Sequence, residues 1–369
     1  MARALALAVF LVTGAVNLQV PLYATYASGA GLGAGAMSLL LAGYVGALLP
    51  SLVLLGGISD RIGRRPSVLG ALGCSLAATL LVLAFPGAVG LAPARWLQGF
   101  GVALVMGAST AWIAETEGPD LASRVTGWSS TAGFGSGALL TSIAQATTPS
   151  DRPWTYAAWC VAILGSAVWI GLSAAPPPAD ARARLLRLPT FPPGSGIPAL
   201  SILLGWSVAG IVVAVLPGVL GRAGYDAWSG VVLFALLAGG FLAQIPARRL
   251  DAGRAMQVGA ALLPCGVALL ALGVAVGSVG VVLLGAALAG TSTHGYGYLG
   301  GLRRVAALEG SSARNVSGYF VFAYLGFGVP AVSMGVLVDR VGGTGAFALL
   351  AALCGMGGIA LFRSATRTS

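Results

Sequence analysis

The chain contains no lysine, a single histidine and only ten acidic residues among 369. Charged side chains make up 8% of the sequence and hydrophobic ones 57%, with a mean hydropathy of +0.92. So little polar surface cannot coat a water-soluble globule, which points to a lipid bilayer as the solvent. The four cysteines, Cys74, Cys160, Cys265 and Cys354, lie inside apolar runs with no CxxC spacing and no nearby histidine. That pattern excludes a disulfide framework or a Cys/His metal site and leaves them as packing residues. No Asp or Glu falls in the middle of an apolar run. A paired-carboxylate, zinc or Ser/His centre is therefore not expected, nor is a resident cofactor. The net charge of +10 would suggest nucleic acid in a soluble protein. Here the basic residues come in ones, twos and threes between apolar runs, so membrane orientation explains them and nucleic acid is not expected as a partner.

What is present is a succession of long apolar windows. A helix needs about 20 residues to cross the roughly 30 Å hydrocarbon core. Windows of that length fall near 4–26, 35–56, 67–86, 92–114, 125–146, 154–174, 197–220, 229–247, 256–275, 279–300, 316–337 and 344–363. They are continuous rather than alternating, which selects helices over a barrel. The first could pass for a signal peptide, but it runs on through Pro21 to about Ala24 and eleven more follow. With the N-terminus inside, sixteen of the twenty arginines, from Arg3 to Arg367, fall on the cytoplasmic side. Arg152, Arg222 and Arg340 fall outside, and Arg95 sits at the outer end of the fourth window. This asymmetry predicts cytoplasmic termini, and the all-arginine, Ala/Gly/Val/Leu-rich composition points to a bacterial plasma membrane.

The two halves resemble each other. Gly63–Cys74 pairs with Gly253–Cys265, and Asp60 with Asp251. Arg124, Gly127 and Gly133-Phe134-Gly135 are echoed by Arg314, Gly318 and Gly326-Phe327-Gly328. The cysteines fall on windows 3, 6, 9 and 12. The expectation is an all-α integral membrane protein of twelve helices in two pseudo-symmetric six-helix bundles. Residues 1–174 form the first, 175–196 a proline-rich cytoplasmic tether carrying Pro176-Pro177-Pro178, and 197–369 the second. Parallel repeats of this kind place a substrate site between the halves near the midplane.

Residues 56–66, Gly-Gly-Ile-Ser-Asp-Arg-Ile-Gly-Arg-Arg-Pro, form a charged hinge between two apolar windows. This segment resembles the helix 2–3 loop of the major facilitator superfamily, G-x-x-x-D-R-x-G-R-R. The second-half copy around Asp251 is degenerate. Arg95-Trp96-Leu97-Gln98-Gly99-Phe100-Gly101 is similar to the same family's R-x-x-Q-G-x-G signature. The resemblance covers the whole chain. It implies that Gly56, Asp60, Arg61, Gly63, Arg64 and Arg65, with Glu115, form a conformational latch at the cytoplasmic gate, where the Asp60 carboxylate meets the positive N-terminal end of helix 11. The bland alternative, arginines that only set orientation, leaves Asp60 unexplained. In relatives the signature arginine serves proton coupling or substrate organisation. Set against this is an interfacial Arg95 snorkelling outward from Pro93. The family's drug/proton antiporters carry Gly-Pro and paired glycines on helix 5, whereas Gly133, Gly135 and Gly137 here come without a proline.

Candidate substrate or proton groups follow from polar and aromatic residues inside the windows. They are Asn17, Tyr44, Arg95, Gln98, Trp206, Thr291, His294, Tyr298 and Tyr324. Thr291, His294 and Tyr298 fall at i, i+3 and i+7, one helical stripe, and an imidazole titrating near pH ~6.5 is a proton handle or an interhelical hydrogen-bonding group. Without a buried carboxylate, the cargo expected is neutral, amphipathic or weakly anionic. The function these features predict is that of a monomeric, multi-pass secondary transporter with no enzymatic activity. It would move a small organic solute by alternating access, driven by the proton gradient toward efflux of a drug-like compound or metabolite. The alternative is an importer or facilitator of a sugar or other nutrient.

Overall fold

The computed structural model describes residues 1–176, 185–186 and 188–366, with no strand among them. The tether arginines Arg182, Arg184 and Arg187, the prolines Pro177 and Pro178, and Arg367 lie outside the described residues. The helices in chain order are α1 (Ala2–Asn17), α2 (Tyr23–Gly29), α3 (Ala34–Leu54), α4 (Ile58–Ile62), α5 (Arg64–Ala84), α6 (Ala88–Glu117), α7 (Pro119–Thr147) and α8 (Trp154–Leu172). They continue as α9 (Gly196–Ala214), α10 (Leu216–Arg222), α11 (Ser229–Ala247), α12 (Ala252–Val276), α13 (Val279–Gly290), α14 (Gly297–Ala306) and α15 (Ser312–Thr366).

Nine helical stretches among the described residues are long and apolar enough to cross a membrane. Three more crossings complete the twelve. The polar residues of α7 keep it below that threshold, and the tenth span is divided into α13 and α14 by a π turn at Thr291–Tyr296. The eleventh and twelfth run together as α15, broken only at Gly342, whose φ of 77° and ψ of 168° are not helical. Spans one and seven are also interrupted, by a 3₁₀ turn at Val20–Leu22 after α1 and by a break at Val215 between α9 and α10. In both, a proline lies in the break or just after it (Pro21, Pro217), and its missing N–H and ring make a continuous helix unfavourable.

The helices cluster into two units. One comprises Met1–Pro21 and Gly43–Arg187, and the other Leu22–Ala42 and Leu188–Ser369. The end of the first span and the start of the second thus pack with the later helices rather than with their own half. In the first unit, α1 and α7 approach until their backbones touch. A Cβ at Gly133 would overlap the Phe10 carbonyl and the Thr13 hydroxyl, and one at Gly137 would overlap the Gly14 carbonyl. Trp159 of α8 lies over Gly14 and donates its indole N–H to Leu11 O at 2.9 Å. In the second unit the same relation joins α9 to α15, with Gly210 against the Phe327 backbone and Gly326 against that of Leu203. Lipid tails are as apolar as leucine, so helices gain little by burying methyl groups from them. Close backbone approach through small residues is what holds such pairs together.

Gly137→Ala is expected to destabilise the folded protein by about 1–3 kcal/mol through overpacking against Gly14. Gly165→Ala on α8, where an added Cβ meets nothing within 4 Å, is the matched control and should be neutral or slightly stabilising. Thermal unfolding of the two variants in detergent checks the difference.

Candidate functional site

The charged hinge is built from a helix too short to persist by itself. Gly57 opens α4 and Gly63, at φ 97° and ψ 157°, closes it and starts α5 in a new direction. L-residues other than glycine avoid that backbone region. The turn delivers Arg64, only 6% exposed, between two carboxylates. Its Nη1 lies 2.5 Å from Asp60 Oδ1 and 2.6 Å from Ser59 Oγ. Its Nε donates to both Glu115 oxygens at 3.2 and 3.3 Å, and its Nη2 also bonds Glu115. One buried guanidinium is thus neutralised from α4 and from the end of α6. The desolvation cost of a buried charge is offset only when its hydrogen-bonding capacity is met in this way. Arg65 donates to Ser173 O, the Gly57 N–H reaches Leu185 O at 3.2 Å, and Arg61 is exposed. Gly56 precedes this turn at the foot of α3. The second-half copy is different. Asp251 caps its own helix by accepting the Arg254 N–H at 2.8 Å, and the Arg254–Asp251 pair is exposed at 3.4 Å, where an ion pair contributes little.

Inside the first unit a polar knot closes the break in span one. The chain leaves its helix after Asn17, so the carbonyls of Ala15 and Val16 lose their helical donors. Arg95 Nη1 donates to Val16 O at 2.7 Å, and Gln98 Nε2 to Ala15 O at 3.0 Å. Gln98 Oε1 accepts from Arg95 at 2.9 Å and from Gln19 Nε2 at 3.1 Å. The Arg95 guanidinium carbon stands 5.3 Å from the centre of the Tyr44 ring, and Asn17 Nδ2 donates to Phe134 O at 2.9 Å. Arg95 is 1% exposed, so it does not snorkel outward as an interfacial arginine would; its arginine–glutamine spacing turns it inward instead. Asn17, Tyr44, Arg95 and Gln98 therefore share one neighbourhood. Gln19 belongs to it too and was missed, although an amide two residues before Pro21 in an apolar run was the available signal.

In the second unit the π turn shapes an aromatic cluster. Its extra residue per turn distorts Gly295 to φ −105° and ψ −106°. The freed carbonyl of His294 accepts from Gln244 Nε2 at 2.9 Å. The His294 ring stacks on Trp206 of α9, centroids 5.6 Å apart, while its Nδ1 lies 2.8 Å from the Thr293 hydroxyl. Trp206 also meets Tyr324 edge-on at 5.2 Å, and Phe320 and Phe327 of α15 at 6.3 and 6.4 Å. Tyr298 packs on Phe320, and its carbonyl accepts from the Tyr319 hydroxyl at 3.0 Å. The Trp206 indole N–H is buried without an acceptor among the described residues. Trp206, His294, Tyr298 and Tyr324 are thus brought together. The expected Thr291–His294–Tyr298 stripe needs correction, because it assumed unbroken α-helical spacing. The π turn begins at Thr291, whose hydroxyl bonds Leu288 O in its own helix at 2.6 Å. Beyond the turn, Arg303 of α14 donates to the carbonyls of Leu250 at 2.9 Å and Arg248 at 3.0 Å.

Among the described residues no group of three or more His, Cys, Asp or Glu side chains could hold a metal ion. The chemistry that the two clusters offer is hydrogen bonding, stacking and one imidazole, which suits holding an organic molecule.

The fold has close counterparts among solved structures. A D-xylose–proton symporter is similar over 98% of this chain and 96% of its own, with a TM-score of 0.73 at 15% identity. The nucleoside transporter NupG is similar over 99% of both chains, with a TM-score of 0.74 at 13% identity. A POT family transporter in complex with 5-aminolevulinic acid covers 99% of this chain and 96% of its own, with a TM-score of 0.75 at 14% identity. No curated protein matches the chain in sequence. The family model of the Major Facilitator Superfamily matches residues 5–307. With twelve helical spans, the charged hinge after the second and the arginine–glutamine signature of the fourth, the chain belongs to the Major Facilitator Superfamily.

Proposed function

We propose that this transporter carries a neutral or weakly anionic small organic solute outward by alternating access, with protons as the counter-ion. The observation that carries the cargo assignment is the Trp206–His294–Tyr324 cluster at the π turn, with its unmatched indole N–H. Aromatic faces at this density suit an apolar or ring-bearing molecule, and a buried donor without an acceptor favours cargo with a carbonyl, hydroxyl or ether oxygen. No carboxylate meets Arg95 among the described residues, so the interior of the first unit stays electropositive, which disfavours lipophilic cations. His294 is the one side chain of the chain that ordinarily titrates in the physiological window, and in this reading it carries the coupled proton. Asp60, Arg64 and Glu115 act as the cytoplasmic latch. The protein works as a monomer in a bacterial plasma membrane with both termini cytoplasmic, as the arginine distribution favours, and performs no bond chemistry.

Flux in inverted membrane vesicles, with and without an imposed pH gradient and across a panel of compounds, tests this directly. Accumulation driven by an acidic vesicle interior is the expected outcome. Accumulation only in right-side-out vesicles would replace the proposal with uptake of a sugar or other nutrient.

Three variants test the residue assignments. His294→Ala is expected to abolish the stimulation of flux by an imposed pH gradient, because no imidazole remains to carry the coupled proton. Unchanged stimulation would remove the coupling role. Arg95→Ala should reduce turnover by about tenfold or more at near-normal expression, since the buried carbonyl of Val16 and the side chain of Gln98 lose a charged donor. A protein that merely fails to accumulate would point to a structural role alone. Asp60→Asn should lower flux several-fold without impairing membrane insertion, and normal flux would exclude the latch.

A further inference from the structure

The four residues Asp60-Arg61-Ile62-Gly63 have a near-copy at the other end of the chain, Asp339-Arg340-Val341-Gly342. The likeness extends to the backbone. Gly63 has φ 97° and ψ 157°, and Gly342 has φ 77° and ψ 168°, so both glycines make the same turn, one that a side chain would strain. By the arginine topology the first copy lies at the cytoplasmic face and the second at the outer face.

The outer copy is engaged within the second unit. Asp339 Oδ1 accepts the backbone N–H of Ala34 at 2.8 Å and Oδ2 that of Gly35 at 2.8 Å. These are first-turn donors of α3, which have no partner inside their own helix and lie at the positive end of its dipole. The surrounding contact is made of small residues. A Cβ on Gly335 would stand 2.6 Å from Ala34 O and from Ser38 Oγ, and one on Gly35 would stand 2.9 Å from Val336 Cγ2. One on Gly33 would stand 2.7 Å from Asp339 Oδ2. Glycine and alanine bury little apolar area, so this joint is held chiefly by two charge-assisted hydrogen bonds. Such a joint closes tightly and can also be undone.

We propose that Asp339 and the N-terminus of α3 form an outer latch, made when the outer side is shut and broken when it opens. The inference rests on the alternating-access reading and adds to it a second carboxylate at the opposite face from Asp60. It accounts for the glycines at 33, 35 and 335, and for a turn shared by two segments far apart in sequence.

The test needs neither cargo nor flux, so its outcome is independent of the transport assignment. In full-length protein with the four native cysteines replaced, Ser38→Cys places a thiol at this joint, where Ser38 is 1% exposed. In lipid nanodiscs, labelling by a membrane-impermeant maleimide should be slow with Asp339 present and about tenfold faster in Asp339→Ala, as expected for loss of a bidentate charged contact. Unchanged labelling in a folded Asp339→Ala variant would overturn the latch. Should that variant fail to purify as a single species, Asp339→Asn keeps the size and one acceptor while losing the charge. A clear acceleration in it supports the latch, and a rate equal to the parent overturns it.

Discussion

A carbonyl that leaves its helix inside a membrane has no water to accept from, and this constraint shapes both halves of the molecule. Each unit contains a span that cannot stay helical. In the first, the break before Pro21 exposes the carbonyls of Ala15 and Val16, and the side chains of Gln98 and Arg95 satisfy them. In the second, the π turn exposes the carbonyl of His294, and Gln244 satisfies it. The polar residues that look most like binding groups in the sequence are therefore also the ones that keep the backbone solvated. Fixing a broken helix and presenting a polar surface are one arrangement here, not two.

The internal repeat survives in packing more faithfully than in chemistry. Gly137 on Gly14 and Gly210 on Phe327 join equivalent pairs of spans, one and five in the first unit, seven and eleven in the second. A glycine contact cannot drift without losing the close approach it permits. The charged hinge is under no such restriction, and its second copy has lapsed from a buried two-carboxylate clamp around Arg64 to an exposed helix cap at Asp251. The first copy keeps its buried charge, and the second keeps only the helix start.

Much of this was legible in the sequence because membrane helices are long and apolar throughout. The twelve windows, the hinge and the arginine–glutamine signature depend on composition and short spacing, which a linear reading captures. Three features escaped it for physical reasons. Gln19 looked unremarkable because its role depends on Gln98, 79 positions away. The π turn came from a run, Thr-Ser-Thr-His-Gly-Tyr, whose polar spacing also fits a regular helix, and no local propensity marks the extra residue. The grouping of residues 22–42 with the later helices depends on pairings such as Asp339 with Ala34, separated by some three hundred residues.

The π turn has a mechanical consequence. A single additional residue in a helix advances everything beyond it by about 1.5 Å and turns it through about 100° relative to an uninterrupted α-helix. Were the turn between α13 and α14 to relax to regular geometry, the lower part of the tenth span would move like a screw in its thread. The grip of Arg303 on the carbonyls of Arg248 and Leu250 opposes that rotation. The loop after α11 thus acts as a locknut for the helix that carries His294.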